Sequence, residues 1–351
     1  MADNDIWTIK AALDWTCGYL ERKGDENPRV SAQWLMSAAT GLSSIELYTN
    51  YDRPLSLDER DLLRAYVTRR GRGEPIQYIT GEAGFRYLTL KVRPGVLIPR
   101  PETEVLVSEV LALLPPAPRP RAIDEGEVLA ERVRATLESD PSVLADMAPD
   151  TAATLEHALG MDAEDAAPEA KPAQETPSEL FVADICTGSG CIACSLATEH
   201  PAVRVIATDL SDDAVALARE NASDSGVADR VTVLQGDLGA AVPAELLGRF
   251  SAVVSNPPYV PTAVLTDIPR EVADFEPRLA LDGGPDGLDL YRRLLDFALT
   301  ALEPGGIFAC ELHETTLDAA AKLARGHGFL EVRIVDDLAG RPRVITARKP
   351  R

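Results

Sequence analysis

Cysteine, aromatic residues and long apolar runs are all scarce in this chain. Its 351 residues include five cysteines, and only 5% are Phe, Trp or Tyr. Five cysteines are too few for a disulfide scaffold in a chain of this length, so we expect reduced thiols. No apolar run approaches the roughly 18 residues of a membrane span, and the first residues lack the basic start of a secretory signal. We therefore expect a cytoplasmic protein with no membrane contact.

Positive charge is also in short supply. Lys and Arg number 35 against 56 Asp and Glu, which gives a formal net charge of -21. Proteins that bind nucleic acid by neutralising phosphates need a basic face, so the sequence indicates no direct nucleic-acid partner. Hydrophobic residues at 45% and charged residues at 26% are ordinary values for a globular protein. The chain is therefore long and apolar enough to bury a sizeable core.

Local patterns predict a helical domain at 1–82, a connecting hairpin at 83–99 and a larger domain at 100–351. An insertion at about 115–178 interrupts the larger domain and contains nine prolines, fourteen acidic residues and five basic ones. This composition cannot bury a core of its own. We interpret the insertion as a mobile acidic appendage, with a dedicated partner-binding segment as the alternative.

Helix and strand signals support these regions. Ser56 and Glu59 have the spacing of a capping box that begins a helix through about Val67. Alternating apolar residues over Gly84–Ile98, interrupted at Pro94-Gly95, predict the hairpin. A basic run after the capped helix is either a docking surface or a solvated face. It comprises Arg64, Arg69, Arg70 and Arg72.

The rest of the chain alternates short strands with helices, which predicts an α/β fold with a parallel sheet covered on both faces. In such sheets ligands bind beyond the carboxyl ends of the strands. The predicted strands are 180–185, 204–208, 231–235, 250–255, 306–312, 331–336 and 343–348. The predicted helices are 191–200, 212–223, 290–302 and 315–326.

Three of these strand ends carry residues suited to a nucleoside ligand. The first predicted strand runs into a glycine-rich turn and then a helix, which lets backbone approach a ligand closely. The second ends at Asp209, whose carboxylate suits two ribose hydroxyls, and the third at Asp237, which suits an adenine amino group or a helix N-cap. Together these signals predict a nucleoside-cofactor site. The glycine-rich turn reads Cys186, Thr187, Gly188, Ser189 and Gly190.

The strongest signal follows the fourth strand, where the sequence reads Asn256, Pro257, Pro258 and Tyr259. Two prolines fix φ and hold the preceding asparagine extended. An amide nitrogen is a poor nucleophile because its lone pair is delocalised. The side-chain oxygen of Asn256 and the carbonyl of Pro257 are suited to accept both N–H hydrogens of a planar nitrogen, and Tyr259 to pack against the planar group. We therefore predict Asn256, Pro257 and Tyr259 as catalytic residues.

These motifs together resemble class I S-adenosylmethionine-dependent methyltransferases that modify planar nitrogens. More narrowly, three further elements resemble the peptide chain release factor N5-glutamine methyltransferases, the PrmC or HemK family. The related ribosomal-protein glutamine methyltransferases more often have Arg-Ser at Arg100-Pro101. The three elements are Gly73–Tyr78, Pro99–Glu104 and Phe275–Leu281.

The resemblance implies a Rossmann-like sheet of seven strands, the last of which is antiparallel. A small N-terminal helical domain and a connecting hairpin would precede this sheet in the chain. It implies that Cys186–Gly190, Asp209, Asp237 and Asn256 bind S-adenosyl-L-methionine, and that Asn256–Tyr259 bind the glutamine of a release factor's Gly-Gly-Gln loop. The helical domain would hold the release factor. Two departures are Cys186, where the family commonly has Gly, and Glu311-Leu312-His313, where it commonly has Glu-His-Gly.

Four alternatives stay open on the sequence, and one of them is a glutamine methyltransferase that acts on a ribosomal protein. DNA adenine-N6 and cytosine-N4 methyltransferases use a similar Asn-Pro-Pro-aromatic clamp, although a net charge of -21 opposes binding to a duplex. The spacing Cys186, Cys191 and Cys194, with Cys310 as a fourth ligand, matches plant-type ferredoxins. A non-catalytic binding module is the last alternative. We expect no metal site.

Overall fold

The computed structural model describes residues 7–116 and 179–351, together with the single positions 133 and 136. The predicted insertion therefore lies outside the described residues, apart from its first two residues and these two positions. Within the described part of the chain, no helix is long and apolar enough to cross a membrane.

Five helices form the N-terminal region. A capping box begins α4 as predicted, because the Ser56 hydroxyl accepts from the amide of Glu59 and the Glu59 carboxylate accepts from the amide of Ser56. Their core includes the fully buried Ile9, Leu20 and Leu35. The boundaries of 1–82 and 100–351 as domains stay predictions. The helices are α1 Ile9–Arg22, α2 Pro28–Thr40, α3 Ser44–Thr49, α4 Leu57–Arg70 and α5 Ile76–Thr80.

Two arginines of the basic run at the end of α4 bind partners within the chain. Arg69 pairs with Glu74 and donates to the carbonyl of Tyr78. Arg70, only 11% exposed at its side chain, pairs with Asp25 at 2.7 Å and with Glu271 at 3.1 Å. The pair of Arg70 with Glu271 joins the N-terminal helices to the segment that follows the Asn-Pro-Pro-Tyr motif in the sequence.

A two-stranded antiparallel hairpin follows, with β1 at Glu82–Phe85 and β2 at Leu88–Lys91. The hairpin was predicted, but its turn was placed wrongly at Pro94-Gly95, and the chain instead reverses at Arg86 and Tyr87. Arg86 has a φ of 52°. Its amide donates to Glu104 and its guanidinium pairs with Glu199. These long-range contacts hold the turn, and a local alternation pattern does not contain them.

Seven strands form the main sheet in the order β5-β4-β3-β6-β7-β9-β8. All pairs are parallel except those of β9, which runs antiparallel to both β7 and β8. This is the predicted sheet, with its last strand antiparallel. β7 begins at Leu302 rather than at the predicted position 306. Its first residues include Pro304 and Gly305, which are typical of turns, so the sequence pattern did not indicate a strand there. The strands are β3 Leu180–Ile185, β4 Val203–Asp209, β5 Val231–Gln235, β6 Phe250–Ser255, β7 Leu302–Glu311, β8 Leu330–Asp336 and β9 Pro342–Arg348.

Helices cover both faces of this sheet, as the strand patterns predicted. Successive residues of a strand point to opposite faces. The helices are α6 Thr103–Leu113, α7 Cys191–Glu199, α8 Asp212–Asp224, α9 Arg270–Phe275, α10 Asp289–Ala301 and α11 Leu317–Gly326. Ala252 and Val254 of β6 therefore join the core under α6, α7 and α8, while Val253 joins the core under α10 and α11.

Candidate active site

The carboxyl ends of β3, β4, β5 and β6 meet at one edge of the sheet and border a cavity of about 260 Å³. Six residues predicted for the site line this cavity, namely Cys186, Gly188, Asp209, Asp237, Asn256 and Pro258. The other five, Thr187, Ser189, Gly190, Pro257 and Tyr259, belong to the same two loops but are not among its lining residues. The predicted site residues thus divide into six that line this cavity and five that do not.

The turn after β3 adopts a glycine-like conformation. Cys186, Gly188 and Gly190 all have positive φ, at 63°, 56° and 80°. A Cβ on Gly190 would lie 3.2 Å from the Cα of Ala218, so this position also needs glycine for close packing against α8. Cys186 accepts the left-handed backbone despite its side chain, which lines the cavity.

Asp209 at the end of β4 is held by backbone amides. Its carboxylate accepts from the amide of Gly188 at 2.9 Å and from that of Ser211 at 2.9 Å. Burial raises the pKa of Asp209, and these two amides oppose that rise. The Gly188 contact ties the end of β4 to the turn after β3, so the carboxylate has a fixed position beside the cavity.

Asp184 organises the same turn from inside the protein, although no role was predicted for it from the sequence. Its carboxylate accepts from the Thr187 hydroxyl at 2.6 Å and from the amide of Ala193 at 3.2 Å. Complete burial raises its pKa to about 7. An acid inside an otherwise apolar strand was the available signal, since a buried carboxyl group needs hydrogen-bond partners.

Asp237 after β5 is paired with Arg293 of α10, Oδ2 to Nη2 at 2.7 Å. Both side chains are about half exposed, and both residues line the cavity. Arg293 was not predicted as a site residue, because nothing in the local sequence links it to Asp237, 56 positions away. One carboxylate oxygen of Asp237 is thus bound to Arg293, which leaves the other for a ligand.

The Asn-Pro-Pro-Tyr loop is anchored by residues far away in the sequence. Asn256 donates from Nδ2 to the Thr103 hydroxyl at 3.0 Å, and Thr103 donates to Glu311 Oε2 at 2.6 Å. The Tyr259 hydroxyl donates to Glu311 Oε1 at 3.0 Å. Burial raises the pKa of Tyr259. One buried carboxyl group at the end of β7 therefore connects both polar side chains of the motif.

The three further motifs of the resemblance also converge. Arg100 pairs with Glu276 at 2.6 Å, and the Tyr78 hydroxyl donates to the carbonyl of Val96 at 2.6 Å. Phe275 packs against the small buried cluster that contains Tyr78. Burial raises the pKa of Glu276 to about 7, against the attraction of Arg100. These contacts tie the N-terminal region to the segment that follows the Asn-Pro-Pro-Tyr loop.

The ferredoxin-like cysteine spacing has no counterpart in three dimensions. Among residues 7–116 and 179–351, no three His, Cys, Asp or Glu side chains are grouped in a way that could hold a metal ion. Cys191, Cys194 and Cys310 are buried, and burial raises the pKa of each thiol. These thiols are packing residues of the two cores.

Comparison with known proteins decides the family. Residues 11–81 match the model of the PrmC N-terminal domain, and residues 173–271 match that of the methyltransferase small domain. The release factor glutamine methyltransferase of Geobacter sulfurreducens is 38% identical over 98% of both chains. The chain belongs to the release factor glutamine methyltransferase family. Relatives in that family from Moorella thermoacetica and Streptomyces coelicolor are 36% and 34% identical, over 97% and 93% of this chain and 98% and 92% of theirs.

Membership of the release factor glutamine methyltransferase family makes the chain a methyltransferase. A crystal structure of a methyltransferase from Pyrococcus furiosus aligns with a TM-score of 0.38 and 20% identity, over 50% of this chain and 77% of that one.

Proposed function

We propose that this chain transfers a methyl group from S-adenosyl-L-methionine to the side-chain amide nitrogen, N5, of the glutamine in the Gly-Gly-Gln motif of peptide chain release factors. The observation that carries the proposal is the Asn256–Tyr259 loop at the cavity edge, with the amide of Asn256 held by Thr103. The relatives that span nearly the whole chain are release factor glutamine methyltransferases.

The cavity fits a nucleoside cofactor by its chemistry. Asp209 presents a carboxylate fixed by two amides, suited to ribose hydroxyls, and Asp237 has one oxygen left for an adenine amino group. The apolar side chains that line the same cavity suit a planar base, and they include Leu238 and Leu290. We assign Asp209 and Asp237, with the Cys186–Gly190 turn and Asn256, to S-adenosyl-L-methionine. When bound, the cofactor supplies an electrophilic methyl group on a sulfonium.

The protein's own contribution is positioning and fixed dipoles. The side-chain oxygen of Asn256 and the carbonyl of Pro257 would each accept one N–H of the glutamine amide, which directs its lone pair toward the methyl group. Tyr259 and Pro258 would restrain the plane of that amide. No general base is needed before transfer, because the nitrogen loses its proton only after the new bond forms.

The partner in this proposal is a release factor, held by the helices of 1–82 while its Gly-Gly-Gln loop enters the site. Because release factors act during translation termination, the proposal places the enzyme in the cytoplasm. The net charge of -21 argues against direct nucleic-acid contact. The ion pair of Arg70 with Glu271 gives the N-terminal helices a direct link to the segment after the target loop.

Mass spectrometry tests the proposal directly. A purified release factor is incubated with this protein and S-adenosylmethionine, beside a Gln→Ala release factor, a ribosomal-protein substrate and unmethylated duplex DNA. We expect one added methyl group on the Gly-Gly-Gln glutamine and none on the other three. Methylated DNA or ribosomal protein beside an unmodified release factor would overturn the substrate assignment, and no transfer to any of them would overturn the activity.

A further inference from the structure

Asn256, Thr103 and Glu311 form a buried chain of hydrogen bonds behind the cavity. Asn256 Nδ2 lies 3.0 Å from Thr103 Oγ1, and Thr103 Oγ1 lies 2.6 Å from Glu311 Oε2. Thr103 and Glu311 are each 1% exposed, whereas Asn256 lines the cavity. The three residues come from the start of α6, the loop after β6 and the end of β7.

Hydrogen counting sets the direction of this chain. A threonine hydroxyl has one proton, and an ionised carboxylate only accepts hydrogen bonds. In the structure the Thr103 hydroxyl donates to Glu311 Oε2 and accepts from Asn256 Nδ2, so only oxygen lone pairs of Thr103 face Asn256. Those lone pairs bind the NH₂ end of the Asn256 amide and repel its oxygen.

The surroundings of Glu311 support its role as a double acceptor. Its second oxygen accepts from the Tyr259 hydroxyl at 3.0 Å. Burial raises the pKa of Glu311, while the two hydroxyl donors and the positive charge of Arg343 lower it, and the negative charge of Glu102 adds to the rise. Both oxygens of Glu311 thus have a donor, and neither hydroxyl has a second proton to give elsewhere.

We propose that Thr103 is a positioning residue which fixes the Asn256 amide so that its nitrogen faces the protein and its oxygen faces the target. This inference rests on the proposed function, in which that oxygen accepts a hydrogen bond from the glutamine amide. If the Asn256 amide were turned the other way, its NH₂ group would face the N–H group of the glutamine amide. Both groups are donors, so no hydrogen bond would form between them. Thr103 acts through Asn256 and contacts neither substrate nor cofactor.

Two substitutions separate this role from a packing role. Thr103→Val keeps the shape of the side chain and removes the hydroxyl, whereas Thr103→Ser keeps the hydroxyl. We expect Thr103→Val to lower kcat for release factor methylation by about 10- to 100-fold, less than direct loss of a catalytic hydrogen bond. Its dissociation constant for S-adenosylmethionine should stay within about twofold of the parent, and Thr103→Ser should retain a kcat within about threefold.

A matched control is Thr346→Val, which removes a buried hydroxyl from β9 of the same sheet, outside the cavity lining. It should leave kcat and cofactor affinity unchanged. A Thr103→Val protein with the parental kcat would overturn the proposal. So would equal losses of kcat and cofactor affinity, or an equal defect in Thr103→Ser, because either result indicates packing.

The side-chain amide signal of Asn256 gives a readout that needs no substrate. In a ¹⁵N–¹H correlation spectrum, the signal is identified by its loss in Asn256→Asp. We expect its hydrogen-bonded Nδ2 proton to move upfield in Thr103→Val and to stay in place in Thr103→Ser. An unmoved signal in Thr103→Val would overturn the positioning role, whereas an unmodified release factor with wild-type protein would overturn only the proposed function.

Discussion

Arg293 and Asp237 form an ion pair at the mouth of the cavity, 2.7 Å between Nη2 and Oδ2, although 56 positions separate them. Because Asp237 is proposed to accept from the cofactor's adenine, Asp237→Asn should weaken S-adenosylmethionine binding by roughly tenfold. Arg293→Gln should weaken it by about threefold or less, since half-exposed ion pairs contribute little. Isothermal titration calorimetry measures both.

A charge-matched control for Asp237→Asn is Asp318→Asn, an exposed position at the start of α11 and outside the cavity lining. It should bind the cofactor like the parent. Parental affinity in Asp237→Asn would remove Asp237 from the cofactor site.

Asn256→Ala removes one of the two proposed acceptors for the target amide. We expect a loss of two to three decades in the single-turnover rate, comparable to the loss of a fixed hydrogen bond at other catalytic sites, roughly 10²- to 10³-fold. Cofactor affinity, measured in parallel, should fall much less. Methylation at the parental rate would show that the Asn256 side chain is not part of the mechanism.

The strand ends were predictable from the sequence because their signals are local. An apolar run followed by glycines, an acid or two prolines needs no knowledge of the partner strands. Asp209, Asp237 and Asn256, which line the cavity, were predicted as site residues in this way. Thr103 and Glu311 were not, because 208 positions separate them and only the folded chain brings them together. The hairpin turn was misplaced for the same reason, since Glu104 and Glu199 hold Arg86 from outside the local pattern.

Gly287 packs closely against the backbone of the Asn-Pro-Pro-Tyr loop at Tyr259. Gly287 has a φ of 75°, and a Cβ there would lie 2.4 Å from the carbonyl oxygen of Tyr259. Gly287→Ala should therefore displace Tyr259 and reduce methylation strongly, in addition to costing about 1 kcal/mol or more of backbone strain. Methylation rate and urea midpoint are measured together.

Gly248→Ala is the matched control, because Gly248 has a φ of 78° and open space around the added Cβ. It should cost a similar strain energy and leave the methylation rate unchanged. Equal activity losses in the two variants would mean that contact with Tyr259 is not the cause.

Arg70 stabilises the N-terminal region through a buried ion pair. Although burial opposes it, hydrogen bonds from Arg70 and Ser31 hold the pKa of Asp25 below its usual range. Arg70→Met would leave Asp25 buried and unpaired, so we expect a loss of about 3 kcal/mol in the free energy of unfolding. Arg64→Met removes an ion pair with Asp61 that is about 70% exposed, and should change that free energy by under about 0.5 kcal/mol. Urea denaturation that shows equal effects would contradict a structural role for the buried pair.

Asp184 should give the protein a distinctive pH dependence of stability. Burial raises its pKa from an ordinary value of 3.8 to about 7 in the folded protein. Between these values the folded state holds a proton that the unfolded state has released, so the free energy of unfolding falls as pH rises from about 4 to about 7 and then levels off. The full effect amounts to roughly 4 kcal/mol, from about three pH units at 1.36 kcal/mol each.

Asp184→Asn removes this titration and keeps the size of the side chain. The variant should therefore lose less stability than the parent over that pH window, whatever its absolute stability. Glu276, whose pKa burial also raises to about 7, titrates in both proteins and cancels from the difference. Urea unfolding at several pH values between about 4 and about 8 measures the two slopes. Parallel slopes would mean that Asp184 is ionised throughout this window, and that its bonds to Thr187 and Ala193 outweigh its burial.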